Sequence, residues 1–168
     1  LSSTQIILSW SHNGNPATWT RYEVSRSTVS AFSVGVSTPV SFTARFTITQ
    51  TTISALSPNR LYFLRVRAAN TSVITNAGAF SSLASTRTLS NAVTPSFPMV
   101  GFTSATVSWS LPSGGASAFL VQFSTNSEFG SITVSSQVTG TQTTAKVLGL
   151  VDSATYFIRV GSFNNDNM

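Results

Sequence analysis

One segment is written twice in this chain, and it limits the fold more than any other feature. The first copy runs Leu56-Ser57-Pro58-Asn59-Arg60-Leu61-Tyr62-Phe63-Leu64-Arg65-Val66-Arg67-Ala68-Ala69-Asn70. The second runs Leu150-Val151-Asp152-Ser153-Ala154-Thr155-Tyr156-Phe157-Ile158-Arg159-Val160-Gly161-Ser162-Phe163-Asn164, with six of fifteen positions identical. Each copy reads as a corner followed by an alternating strand. Tyr62, Leu64, Val66 and Ala68 share one face by the period of two, and Phe63, Arg65 and Arg67 share the other. A Tyr six residues after a Leu, at the start of such a strand, is the sequence form of a tyrosine corner. Its ring packs in the core and its hydroxyl caps backbone across the turn.

The rest of the chain repeats around that pair. Gln5 to Trp10 reads as a strand ending in a buried Trp, and Ser11 to Ala17 as a loop by its Asn, Gly and Pro content. Trp19 to Thr28 is the next strand, with Trp19 placed in the core where the strand begins. Phe32 to Phe46 should hold a short edge strand, and Phe80 to Leu89 should close the first unit. In the second unit Pro95 to Phe102 is a first strand with Pro at its edge. Ala105 to Trp109 then matches the Trp10 strand, and Phe119 to Thr125 matches Tyr22 to Thr28. Both of these continue as Ser-Thr-x-Ser-x-Phe, ending at Phe32 and Phe129. A period near 95 with about seven short strands per unit predicts an all-β chain of two sandwiches.

Composition narrows the function. Charged residues are only 8% of the chain, and the formal charge of +5 comes from scarce acids rather than dense bases. The acids are Glu23, Glu128, Asp152 and Asp166. The bases, eight Arg and Lys146, form no run, whereas nucleic-acid binding needs a clustered basic face. No apolar run reaches transmembrane length, so no membrane insertion is expected. There is no Cys, and His12 is the only His, so neither a zinc site nor a His-based triad is expected. The dispersed carboxylates suggest no acid–base pair. Asn164-Asn165-Asp166-Asn167 offers one carboxylate, which is too few for a tight Ca²⁺ site, and reads as a loop. No catalysis, cofactor or metal is expected. The chain opens at Leu1 in mid-pattern and reads as a window from a longer protein.

Each unit resembles a fibronectin type III domain. The residues that carry the resemblance are Trp10, Tyr22, Val24, Leu56, Tyr62, Val66, Ala68 and Asn70 in the first unit. In the second they are Trp109, Phe119, Val121, Leu150, Tyr156, Val160, Ser162 and Asn164, with Phe119 replacing a Tyr and Ser162 an Ala. The resemblance implies two tandem immunoglobulin-like sandwiches, residues 1–90 lacking a first strand and residues 91–168 lacking a last one. A short linker is expected at about Leu89 to Ala92. Trp10, Tyr22, Leu56, Tyr62, Trp109, Phe119, Leu150 and Tyr156 are the expected structural residues. The Ser/Thr-rich, Cys-free sequence is similar to tandem arrays in large bacterial surface proteins. That likeness implies an extracellular or cell-surface spacer, its partners being neighbouring domains of the same chain or copies of itself.

A glycan- or protein-binding module is the alternative, on an outward face formed by Phe63, Arg65, Arg67, Phe157 and Arg159. Exposure of Phe63 or Phe157 beside polar groups would favour it, and burial of both would favour the spacer. On the same face a cross-strand Arg–Glu pair with Glu23 is expected, worth under about 1 kcal/mol if exposed. Asn70-Thr71-Ser72 fits a glycosylation pattern and reads as plain loop.

Overall fold

A computed structural model of the chain describes residues 2–70 and 77–168, and for Asn70 the backbone alone. Asn70-Thr71-Ser72, as a glycosylation pattern, lies outside the described residues. The chain divides into two compact units, Leu1–Thr88 and Leu89–Met168.

In the first unit β1 (Ile6–Ser9) pairs antiparallel with β4 (Gln50–Ile53). The opposing sheet has the order β3-β2-β5-β6, built from β3 (Ser37–Val40), β2 (Thr20–Ser27), β5 (Leu61–Asn70) and β6 (Ala84–Arg87). The period of two decides what goes inside. Tyr22 and Val24 of β2 and Tyr62, Leu64 and Val66 of β5 meet Ile6 of β1 and Ile53 of β4 in one core. A single 3-10 turn, Phe42–Ala44, follows β3.

The second unit has the sheets β11-β8-β7 and β10-β9-β12. Their strands are β7 (Ser96–Val100), β8 (Ser104–Ser108), β9 (Ala118–Ser124), β10 (Val134–Thr139), β11 (Thr144–Leu148) and β12 (Phe157–Phe163). Across β8 and β11, Val107 faces Ala145 and Ala105 faces Val147, so a large residue meets a small one at each rung. Phe119, Val121 and Phe123 close the core from β9. Along β7 the register slips between Ser96 and Met99, where Pro98 has no N–H to give the ladder.

Both corners close by the same bond. Ser57 N–H donates to Tyr62 Oη at 2.9 Å, and Val151 N–H donates to Tyr156 Oη at 2.9 Å. Tyr62 is buried, but Tyr156 is only half-buried and its corner bond is open to water. Tyr62→Phe is therefore expected to cost the first unit about 1–3 kcal/mol, because a part-buried N–H loses its acceptor. Tyr156→Phe is expected to cost less than about 1 kcal/mol, since water replaces the bond. Paired urea titrations check the difference, and equal losses would contradict it.

Two expectations need correction. Trp19 is not in the core but 66% exposed. Pro16 C=O accepts from both Trp19 N–H and Thr20 N–H, at 3.3 and 3.1 Å, so the turn runs through Trp19 and the strand starts at Thr20. With Thr20, Tyr22 and Val24 inward, parity sends Trp19 outward. Trp10 is half-buried rather than buried, lying edge-on to Tyr22 at 5.4 Å. Among the described residues each unit has six strands, β1 pairing only with β4 and β12 only with β9. Within the second unit Ser90 Oγ donates to Gly115 C=O at 2.7 Å and Ser162 Oγ to Asn91 C=O at 2.7 Å.

Candidate functional site

The outer faces of β5 and β12 carry Phe63, Arg65, Arg67, Phe157 and Arg159, and the two units treat them differently. In the first unit the face begins with a turn. Buried Ser27 accepts from Val29 N–H at 3.1 Å and donates to Val34 C=O at 2.9 Å. Phe32 N–H donates to Val29 C=O at 3.2 Å, and Phe32 takes a φ of 52°, in the left-handed region that a bulky residue seldom adopts. That conformation lays its ring on Arg65. The Arg65 guanidinium sits between two rings, 3.9 Å from the centroid of Phe32 and 3.7 Å from that of Phe80. Its Nε is buried with no hydrogen-bond acceptor, so the π-faces are its main electrostatic compensation.

The stack continues sideways. Arg67 lies 4.7 Å from the Phe80 centroid and 5.3 Å from that of Phe42. Its Nε donates to Glu23 Oε1 at 2.7 Å, directly across the β2–β5 register. Rings and guanidinium groups thus alternate from Phe32 to Phe42. Phe63, between Ser27 and Ser85 on the flanking strands, is half-buried.

The second unit builds the same turn. Buried Ser124 accepts from Asn126 N–H at 2.9 Å and donates to Ser131 C=O at 2.7 Å, and Phe129 takes a φ of 53°. Phe129 covers Arg159 at 4.4 Å, and Arg159 Nε donates to Gln122 Oε1 at 2.8 Å. Among the described residues no second ring lies on Arg159. Gly161 stands where the first unit has Arg67, and Leu120 where it has Glu23. Phe157 is 44% exposed.

Of the five residues, Arg65 and Arg67 thus belong to one extended stack and Arg159 to a shorter one, in which Phe63 and Phe157 take no part among the described contacts. The ring partners Phe32, Phe42, Phe80 and Phe129 are not foreseen from the sequence. The repeated Ser-Thr-x-Ser-x-Phe motif was the signal for two of them.

His12 Nδ1 lies 2.8 Å from Tyr22 Oη, and burial raises the Tyr22 hydroxyl above its ordinary range. The folded state thus favours the neutral phenol. The stability this gives is present below the ordinary tyrosine value and is lost as pH rises through the higher folded value. Tyr22→Phe is expected to flatten the alkaline limb of a stability–pH profile, and an unchanged limb would contradict the assignment. Among the described residues no group of three or more His, Asp or Glu could hold a metal ion. Asn164 is buried and its Oδ1 accepts from Asp166 N–H at 3.0 Å and Met168 N–H at 2.9 Å, which makes that stretch a self-capped turn.

The Fibronectin type III domain family matches residues 1–79 and again residues 94–167. Among solved structures, a two-domain fibronectin type III segment from chicken tenascin is similar at 17% identity with a TM-score of 0.57. The match covers 98% of this chain and 86% of that one. The FN1–FN3 domains of chicken CNTN1 align at 18% identity with a TM-score of 0.42, covering 97% of this chain and 58% of that one. The chain thus spans less than two thirds of the CNTN1 segment. No curated protein gives a significant match.

Proposed function

The chain belongs to the fibronectin type III family, and on that premise we propose that it is a structural spacer within a long extracellular or cell-surface repeat protein, without catalysis. One observation carries the reading. Each unit closes its own core with its own corner, so each can bear load without its neighbour. The self-filled stack of Phe32, Arg65 and Phe80 supports it further, since that face of the first unit spends its aromatic surface internally. Its partners are then neighbouring domains of the same chain or further copies.

Pulling single molecules of the chain from both ends tests this. Two separate unfolding events are expected, each releasing on the order of 250–300 Å of extended polypeptide. One merged event would contradict independent load-bearing units.

The binding-module reading is favoured by a different observation, which is confined to the second unit. Phe157 is exposed, and among the described residues Phe129 is the one ring on Arg159. An exposed aromatic beside a guanidinium suits a protein or glycan partner.

A further inference from the structure

Charge is divided unevenly between the units. Seven of the eight Arg lie in Leu1–Thr88, against Glu23 as its one acid, while Leu89–Met168 has Lys146 and Arg159 against Glu128, Asp152 and Asp166. The first unit therefore carries +6 and the second −1, which together make the +5 of the chain. The bases form no run in the sequence, yet one sheet gathers four of them. Arg65 and Arg67 face outward from β5, Arg65 opposite Ser25 and Arg67 opposite Glu23 on β2. Arg21, opposite Ala69, shares that face by parity, and so does Arg87, opposite Leu61 on the other flank. Arg26 does not, since it stands opposite the inward Leu64 and lies over the Tyr62 ring at 5.5 Å.

The four form a stripe along β5. At a rise of about 3.4 Å per residue, Arg87 lies about 13 Å from the level of Arg65, and Arg67 and Arg21 follow at steps of about 7 Å. Glu23 is the one acid on the stripe, and its carboxylate is already held by Arg67. Two of the cations are fixed before any ligand arrives. Phe32 and Phe80 hold Arg65, and Phe80 and Phe42 flank Arg67. Ring stacking uses the flat faces of a guanidinium and leaves in-plane N–H groups for an acceptor. Side chains already fixed lose little freedom on binding.

The same geometry selects the ligand. β2 and β5 are interior strands, and the outer segment from Gly78 to Thr88 covers the edge of β5, so the face has no main-chain ladder for a peptide to join. Arg65 and Arg67 occupy the rings of Phe32, Phe42 and Phe80, which therefore give no platform for a nucleobase. What remains is a row of guanidinium forks, which fits a polymer that carries an anionic group on each repeat.

We propose that the outer face of the sheet β3-β2-β5-β6 binds an acidic polysaccharide, whose sulfate or carboxylate groups lie on Arg87, Arg65, Arg67 and Arg21. The proposal goes beyond the spacer reading, whose pulling test involves none of these charges.

The probe is labelled sulfated dextran, titrated with the whole chain at low salt and followed by fluorescence anisotropy, with unsulfated dextran of equal length beside it. Only the sulfated polymer should bind, and added salt should weaken the binding. Arg21→Gln should weaken it about five-fold, the Coulomb loss of one close charge in water. Lys146→Gln removes the same charge from the other unit and should change it less than about two-fold. Glu23→Gln should tighten binding, because it removes the acid that competes for Arg67, and misfolding cannot mimic a gain. Glu128→Gln, its charge match in the other unit, should leave binding unchanged. Circular dichroism checks that each variant stays folded. Equal binding of the two dextrans, or equal effects of the face and control substitutions, would overturn the proposal. So would tighter binding of polyuridylate or polyglutamate, because the ligand would then be a nucleic acid or an acidic polypeptide.

Discussion

Replacing Trp109 by alanine is expected to unfold Leu89–Met168 while Leu1–Thr88 stays folded. Trp109 is 6% exposed and packs on Phe119 at 5.2 Å between centroids. Its N–H donates backbone to backbone to Thr143 C=O at 2.9 Å, so the side chain is held where β8 ends and β11 begins. Removing so large a buried ring costs about 3–5 kcal/mol, a large part of the stability of a small domain. The chain offers a clean readout. Of its three Trp residues, Trp10 and Trp19 lie in the first unit. In the variant all tryptophan fluorescence therefore reports the first unit and should keep its native transition. Far-ultraviolet dichroism should lose the contribution of the second. A variant with both units intact would remove Trp109 from the core account. A variant with both unfolded would contradict the independence of the units.

Arg65→Ala is expected to destabilise the first unit by about 2–4 kcal/mol, through two cation–π contacts on a part-buried guanidinium and the packing of the arginine stem. Arg159→Ala is expected to cost less than about 1 kcal/mol, since among the described residues that guanidinium has one ring and it lies exposed. Arg65→Lys should recover only part of the loss, because an ammonium cannot present two flat faces to two rings. Urea denaturation of the three variants checks the order. Equal losses at Arg65 and Arg159 would show that the double stack contributes nothing beyond a surface arginine.

The contrast between these two arginines marks where the sequence stopped being legible. The repeated Leu-x5-Tyr segments declare the corners and the strands after them, because both follow from local period and spacing. Glu23 opposite Arg67 was legible too, since parity puts both on one face and the sheet makes their strands neighbours. The rings over the arginines were not. Phe32 and Phe129 reach them only by adopting a positive φ that a bulky side chain normally avoids. Phe80 lies fifteen residues after Arg65 in the chain and meets it only once the outer segment has folded back. Trp19 failed for a simpler reason. Its odd spacing from Tyr22 already pointed outward, but the size of the indole suggested the core. The turn hydrogen bonds to Pro16 decided for parity.

Native-state hydrogen exchange across a urea series tests the central claim, two self-sufficient sandwiches in one chain, most directly. Amides of β2 and β5 should open together with one free energy and one urea dependence. Amides of β8, β9 and β12 should open together with another. Trp109→Ala should lower only the second set, and Arg65→Ala only the first. A single opening free energy shared by both sets, moved by either substitution, would contradict the account.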